Sequence, residues 1–146
     1  MIIKILNNNK LFNNACEFLI KNDNDLDMSY LKSLEFIICD MSDDNKIKGS
    51  ILYHLLDNNE IYICLLVVEE EFKRMGVATN LIKWLKNEHK YNKIFLHVSK
   101  NNTAAINLYK KEYFYVVKDI DKYYTDDGEG LYSGTGVNAY CMVTYS

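Results

Sequence analysis

Residues 71–81 read Glu71-Phe72-Lys73-Arg74-Met75-Gly76-Val77-Ala78-Thr79-Asn80-Leu81. An apolar run typical of a strand, residues 61–68, precedes this segment, and the strongest amphipathic helix pattern of the chain begins inside it. The segment also contains Arg74, the single arginine of the chain. A helix start offers backbone N–H groups and the positive end of the helix dipole to an anion. The segment therefore predicts an anion site between a strand and a helix.

Composition indicates an ordinary globular protein. The chain has 146 residues, 49% hydrophobic residues and a net charge of −3. This length favours one domain, residues 1–146, that buries about 70% of its unfolded surface. A slightly acidic chain lacks the basic character of nucleic-acid binders, and no apolar run approaches the ~20 residues that span a bilayer. Without a signal-peptide pattern at the N-terminus, a cytoplasmic protein with no nucleic-acid or membrane partner is expected.

Four cysteines, at positions 16, 39, 64 and 141, each lie in an apolar run, and none forms a Cys-x-x-Cys pair. This pattern favours buried, reduced thiols in a cytosolic protein over a disulfide framework or a zinc site. No metal site is therefore expected. Cys64 lies close to the anion-binding segment, so an acyl-cysteine intermediate remains an alternative.

Hydrophobic periodicity predicts a mixed α/β fold. Strands are expected at 1–6, 35–41, 47–56, 60–68, 93–99, 114–124 and 137–145, and helices at 9–21, 28–34, from 77 onward and at 102–111. Asn8 or Asn9 is a candidate N-cap of the first helix. Because a helix joins strands 60–68 and 93–99, these two should be parallel. The prediction is a mostly antiparallel seven-stranded sheet with about four helices on both faces. The glycine-rich residues 125–136 are expected to form a flexible loop.

This order of elements and the segment at 73–78 resemble the GNAT superfamily of N-acetyltransferases. The acetyl-CoA signature of that family is Arg/Gln-x-x-Gly-x-Gly/Ala, and here it reads Lys73-Arg74-Met75-Gly76-Val77-Ala78, with lysine as a departure at the first position. The resemblance implies that backbone N–H groups of this loop hold the CoA pyrophosphate and that Arg74 adds charge near the phosphates. The alternative is an ordinary turn with a solvated Lys-Arg pair.

A second segment matches the family's Asn-x-x-Ala-x-x-Leu/Phe-Tyr-x-Lys helix, and it begins at Asn102 and ends at Lys111. The resemblance implies that Asn102 lies near the CoA arm and that the Tyr109 hydroxyl serves the leaving thiolate as general acid. The alternative for Tyr109 is a core side chain on an inward helix face. Relatives usually have Gly-Phe where this chain has Tyr113-Phe114.

Within the GNAT superfamily, the chain most resembles protein N-terminal acetyltransferases, and among these the NatE catalytic subunits. The resemblance is carried by residues 94–98, 121–124 and 138–142. In those enzymes a strand tyrosine and a strand histidine act as base through water, and the matching residues are Tyr62 and His97. Neighbouring strands lie ~4.8 Å apart, which leaves room for such a water. The alternative for His97 is a structural histidine. Tyr123 and Tyr124 match tyrosines that grip the substrate backbone.

The resemblance implies an acetyl-CoA-dependent N-acetyltransferase that acts on protein N-termini, Met-initiated ones first, by direct transfer in a ternary complex. A strand N–H from Leu66, Val67 or Val68 is expected to steady the oxyanion. An α-amine has a pKa of about 8, against about 10.4 for lysine, so a histidine base suits the α-amine better. The expected CoA-binding residues are Leu66, Val67, Val68, Lys73, Arg74, Met75, Gly76, Val77, Ala78, Thr79, Asn102 and Tyr109.

Two alternatives remain open at this point. One is a GNAT enzyme for lysine side chains or a small-molecule amine. The other is a CoA-binding scaffold without turnover. In each case CoA or acetyl-CoA is the expected ligand, and for an N-terminal acetyltransferase the partners could include an auxiliary subunit.

Overall fold

The order of strands and helices agrees with the prediction in a computed structural model, which describes residues 1–120 and 138–146. The strands are β1 (Ile2–Leu6), β2 (Phe36–Met41), β3 (Ile47–Leu56), β4 (Glu60–Val68), β5 (Lys93–Ser99), β6 (Tyr115–Ile120) and β7 (Ala139–Tyr145). The helices are α1 (Phe12–Asn22), α2 (Met28–Lys32), α3 (Val77–Glu88) and α4 (Thr103–Lys111), with 3-10 turns at Asp57–Asn59 and Glu70–Phe72. The part of the sixth predicted strand after residue 120 lies outside the described residues.

The strands form one mixed sheet with the order β1-β2-β3-β4-β5-β7-β6. The β4 and β5 strands are parallel, with Glu60 opposite Lys93 and Ile63 opposite Leu96 at the two ends of the pairing. The pairs β1/β2, β2/β3, β5/β7 and β6/β7 are antiparallel. The predicted mixed, mostly antiparallel seven-stranded sheet is therefore confirmed, as is the parallel pair that a helical crossover requires.

The described chain divides into two compact units, and the boundaries between them fall inside β3, inside β4 and between α3 and β5. The first unit comprises residues 1–52 and 65–89. Its largest fully buried side chains come from strands and helices alike: Ile5, Leu19, Leu31, Ile37, Ile38, Ile51, Leu81, Ile82 and Leu85. Burying each such side chain contributes about 1.5–3 kcal/mol, so these residues dominate the stability of this unit.

The second unit comprises residues 53–64 and the chain from residue 90 onward. Its central strands alternate strictly, since Ile61, Ile63, Ile94, Leu96 and Val98 are buried while the residues between them are only half-buried. Successive strand residues face opposite sides of a sheet. The alternation therefore gives this unit an apolar face and a second face that carries polar and aromatic side chains.

The start of α1 differs from the prediction. The N-cap is Leu11, and its side chain makes no capping hydrogen bond. Asn9 instead accepts a hydrogen bond from the Leu11 N–H through its side chain, at 2.8 Å, and one from the Phe12 N–H through its backbone carbonyl, at 3.0 Å. Asn9 thus forms a turn of its own, and α1 begins at Phe12, later than the predicted start at residue 9. The predicted N-cap at Asn8 or Asn9 is wrong. None of the helices in the described ranges is both long enough and apolar enough to cross a bilayer.

Candidate active site

Tyr62 and His97 lie together on the half-buried face of the second unit. Tyr62 is the register partner of Phe95 across the parallel pair, and His97 follows Phe95 by two residues on the same face. The Tyr62 hydroxyl lies 3.3 Å from His97 Nδ1, and the two ring centroids are 5.6 Å apart. The predicted gap for a water between these two groups is therefore wrong, because the two atoms are within hydrogen-bond distance of each other.

This contact allows two arrangements of the imidazole protons. Nδ1 either accepts the Tyr62 hydroxyl proton or donates its own proton to the hydroxyl oxygen. In the second arrangement Nε2 carries the lone pair and can accept a proton. Burial lowers the pKa of His97, and the positive charge of Lys118 lowers it further. The ring is consequently neutral at pH 7, which is the state that a general base requires.

The thiols near this pair are poor nucleophiles. Burial raises the pKa of Cys64 to about 12 and also raises the pKa of Cys141. Because the thiolate is the reactive form, Cys64 does not favour an acyl-cysteine intermediate. All four cysteines are free; Cys16 and Cys39 are buried as expected, whereas Cys64 and Cys141 are only half-buried.

In the first unit the loop before α3 has the geometry of an anion cradle. Arg74 (φ 65°) and Gly76 (φ 81°) both adopt the left-handed conformation, and Gly76 caps α3 without any side-chain hydrogen bond. The first hydrogen bond of α3 runs from the Asn80 N–H to the Gly76 carbonyl, at 2.9 Å, so the N–H groups of residues 77–79 at the helix start have no acceptor within the helix. Successive N–H groups at a helix start and in left-handed turns form concave donors for phosphate.

The charges of this loop are exposed and weakly held. Lys73 Nζ lies 2.8 Å from a carboxylate oxygen of Glu70, three residues earlier, and both side chains are largely exposed. A surface ion pair of this kind contributes about 0–1 kcal/mol. A phosphate group can therefore replace Glu70 as the partner of Lys73 at little cost. Arg74 is likewise exposed.

Gly49 in β3 is a structural requirement of this loop that the sequence analysis missed. A Cβ atom at this position would lie 2.8 Å from the Val67 carbonyl oxygen and 2.8 Å from Val77 Cγ1. Both neighbours belong to the expected CoA-binding set, so the missing side chain lets β3 approach the strand and the helix start that frame the loop. A lone glycine inside a strand pattern is the signal that could have revealed this close approach.

Tyr109 is held by the way α4 ends. The Phe114 N–H donates to the Tyr109 carbonyl at 2.9 Å and the Tyr113 N–H to the Lys110 carbonyl at 3.1 Å, which together form a Schellman motif. The rings of Tyr109 and Phe114 pack with centroids 5.4 Å apart, and Tyr109 is buried. Tyr113 occupies the left-handed position of this motif, with φ 70°. The glycine usual in relatives would fit this position without strain.

Asn102 has a structural task of its own, because its side chain caps α4 by accepting a hydrogen bond from the Ala105 N–H at 3.1 Å. In this helix Tyr109 and Ile106 are buried, and Ala105 and Leu108 are half-buried. The predicted substrate tyrosines Tyr123 and Tyr124, and the glycine-rich loop at 125–136, lie outside the described residues.

Comparison with known proteins identifies the family. The sequence pattern of the Acetyltransferase (GNAT) family matches residues 8–113, which include both the loop and the α4 motif. The chain belongs to the GNAT acetyltransferase family. The resemblance deduced from the sequence is thereby confirmed.

Some of the individual relatives are named N-alpha-acetyltransferase. An N-alpha-acetyltransferase of Saccharolobus solfataricus is 39% identical over 75 residues, which cover 49% of this chain and 44% of the archaeal protein. The matched part therefore spans less than half the length of this curated relative. Ard1 from Thermoplasma volcanium superposes with a TM-score of 0.77 at 23% identity, covering 99% of this chain and 96% of that chain.

A second solved structure, Arabidopsis thaliana NAA60 in complex with a bisubstrate analogue, superposes with a TM-score of 0.75 at 17% identity. It covers 99% of this chain and 98% of the plant protein. At these identities the two superpositions show that the fold is shared.

Proposed function

We propose that this protein transfers the acetyl group of acetyl-CoA to the α-amine of protein N-termini, with Met-initiated termini as the first acceptors, by direct transfer in a ternary complex. Membership of the GNAT family and the names of the curated relatives support this proposal. The observation that carries it is the contact of 3.3 Å between the Tyr62 hydroxyl and His97 Nδ1 on a half-buried sheet face.

The loop at residues 73–79 fits the pyrophosphate of CoA. Its donors are the N–H groups of residues 77–79 at the start of α3, which have no acceptor within the helix, and the left-handed residues Arg74 and Gly76 lie directly before them. Arg74 and Lys73 supply positive charge, and Arg74 can bind two phosphate oxygens at once. Bound acetyl-CoA would supply an activated acetyl thioester.

The strand before this loop supplies further donors. The pairing of β4 with β5 extends from Glu60 to Ile63, and Leu66, Val67 and Val68 follow in the same strand. We assign their backbone N–H groups to the carbonyl oxygen of the acetyl group. Donors fixed in advance at such an oxygen are among the strongest contributions to catalysis.

Proton removal from the attacking amine is assigned to the Tyr62–His97 pair. With Nδ1–H donated to the Tyr62 oxygen, Nε2 of the neutral ring accepts the proton of the amine directly or through water. Tyr62 holds the ring in this orientation. Tyr109 is assigned to protonate the thiolate, since a phenol donates without being charged beforehand.

The lowered pKa of His97 favours an α-amine as acceptor. A weak base cannot deprotonate a lysine side chain, whose pKa is about 10.4, as readily as an α-amine, whose pKa is about 8. The difference corresponds to about 3 kcal/mol in the same site. This argument supports N-termini over lysine side chains and polyamines.

Kinetics with peptides test the proposal. The purified chain should acetylate Met-initiated peptides, and His97→Gln should lower kcat/KM by about 10²- to 10⁴-fold, the usual contribution of a general base. Tyr62→Phe should lower kcat/KM by a smaller factor because it removes the orienting group. His54→Gln, which changes a histidine on β3, is the matched control and should keep wild-type rates.

Two outcomes would contradict the proposal. Acetylation of polyamines or internal lysines without acetylation of any N-terminus would assign the enzyme to another acceptor. Binding of CoA by calorimetry, together with no transfer to any amine, would identify a scaffold without turnover.

The free thiols bear on the compartment in which the enzyme works. We propose the cytoplasm, because four free cysteines are compatible with a reducing compartment. An auxiliary subunit, which the resemblance implies, stays a prediction.

A further inference from the structure

A row of side chains crosses three strands next to the proposed base. His97 in β5 lies opposite Cys141 in β7, and Cys141 lies opposite Lys118 in β6. Directly opposite residues of antiparallel strands place their side chains on the same face, with Cβ atoms ~4.5–5.5 Å apart. Lys118 therefore shares the face of Tyr62 and His97.

A bulge in β6 brings Lys118 to this face. Val116 pairs with Met142, but the next residue of β7, Cys141, pairs with Lys118 rather than with Val117. With a regular register Val117 would oppose Cys141, and Lys118 would face the opposite side of the sheet. Bulges re-aim single side chains and occur often next to active sites.

The charge of Lys118 has no counter-ion among residues 1–120 and 138–146. The next residue, Asp119, forms an ion pair with Lys100, and at the far end of β5 Lys93 pairs with Glu60 at 3.0 Å.

Lys118 adds to the electrostatics of both neighbours in the row. Burial lowers the pKa of His97, and the charge of Lys118 lowers it further; burial raises the pKa of Cys141, and the charges of Lys93 and Lys118 oppose that rise. Next to His97 on this face are Tyr62, Cys64, Cys141 and Lys118. Further along the same face lie Glu60 and Lys93, which form an ion pair with each other.

We propose that Lys118 selects acceptor peptides that carry a carboxylate side chain in the residues following the acetylated amine. This inference rests on the proposed function. Two strand spacings separate Lys118 from His97, ~10 Å in total, and an extended peptide advances ~3.3–3.6 Å per residue. An acceptor whose amine lies at His97 thus brings the side chain of its second or third residue within reach of Lys118. A basic side chain at the same positions is repelled.

Competition between matched peptides tests the inference with the full chain. Two Met-initiated peptides differ only at positions two and three, which are glutamate in one and lysine in the other. The wild type should favour the acidic peptide about fivefold in kcat/KM, as expected for a partly exposed ion pair. Lys118→Met should remove this preference, and Lys118→Glu should reverse it. High salt should weaken the preference in the wild type.

Lys110→Glu is the control, because it makes the same change in net charge on the exposed side of α4. It should leave the preference of the wild type intact. An equal preference in the wild type and in Lys118→Glu would overturn the inference, as would an equal shift in Lys110→Glu. Since Lys118 is exposed, melting temperatures of all three variants should match that of the wild type.

The two proposals fail in different ways. If the wild type acetylates both peptides at equal rates, the selectivity assigned to Lys118 is wrong and the N-terminal activity stands. If the wild type binds CoA but acetylates neither peptide, the proposed function is wrong and the selectivity falls with it.

Discussion

The backbone at Tyr113 should be strained, and substitution of this residue by glycine should relieve the strain. A non-glycine residue in the left-handed region costs about 1–2 kcal/mol, and Tyr113 has φ 70° at the end of α4. Glycine in turn costs about 0.4–1 kcal/mol through the greater freedom of the unfolded chain. The balance favours glycine over alanine at this position by about 1 kcal/mol. For a chain of this size that is a difference of about 2–4 °C in Tm.

The comparison uses Tyr113→Ala and Tyr113→Gly, measured by thermal and denaturant unfolding. Both variants remove the contacts of the exposed tyrosine ring, so their difference isolates the backbone term. Tyr113→Gly should be the more stable of the two. It should also keep the acetylation rate, because the Schellman hydrogen bonds that hold Tyr109 are made by backbone groups.

Asn107, an exposed residue inside the same helix, provides the control of opposite sign. There Asn107→Gly should be less stable than Asn107→Ala by about 1 kcal/mol, the usual penalty of glycine in a helix. The reasoning fails if the alanine and glycine variants at 113 melt together, or if alanine is the more stable.

Further predictions concern the loop, the helix cap and the base. Gly49→Ala should destabilise the protein by about 1–3 kcal/mol, since its Cβ would lie 2.8 Å from the Val67 carbonyl oxygen; an unchanged urea midpoint would exclude this clash. Gly76→Ala, where φ is 81°, should raise the Kd for CoA in calorimetry with kcat nearly intact; unaltered CoA affinity would remove the loop from the cofactor site. Asn102→Ala should cost about 1 kcal/mol of unfolding free energy through the lost cap, and Asn102→Asp should restore it; equal losses in both would place the effect elsewhere. The pKa of His97 is lowered, so NMR titration should give a pKa below the usual value of about 6.5 for histidine. The free energy of unfolding that His97 contributes, relative to His97→Gln, should be complete above that pH and decline as the pH falls through the folded pKa. A titration midpoint above about 6.5 would contradict this.

The sequence predicted the fold because its signals were local. Strand alternation with period two marked β4 and β5 to the residue, and the single helical crossover between them fixed their parallel direction. The start of α1 was missed because Asn9 can form a turn as well as cap a helix, and only the contacts with Leu11 and Phe12 decide between the two.

Some features of the candidate site could be predicted from the sequence and others could not. Alternation alone predicts that Tyr62 and His97 avoid the apolar face, and the glycine at 76 predicts a tight loop, so both could be found by reading along the chain. The separation between Tyr62 and His97 could not, because it depends on how far two strands are offset. The direct contact at 3.3 Å replaces the water that the strand spacing had suggested.

The environment of the base is the part that no local pattern contains. Whether Lys118 or Val117 lies opposite Cys141 depends on one extra residue in β6, and neither residue's sequence neighbours mark the bulge. A regular register would set Val117 in the row and remove the charge that adds to the effect of burial on the pKa of His97. The strand pattern therefore identifies His97 as the candidate base. Its pKa, and the charge that an acceptor meets, depend on the pairing of strands that are distant in sequence.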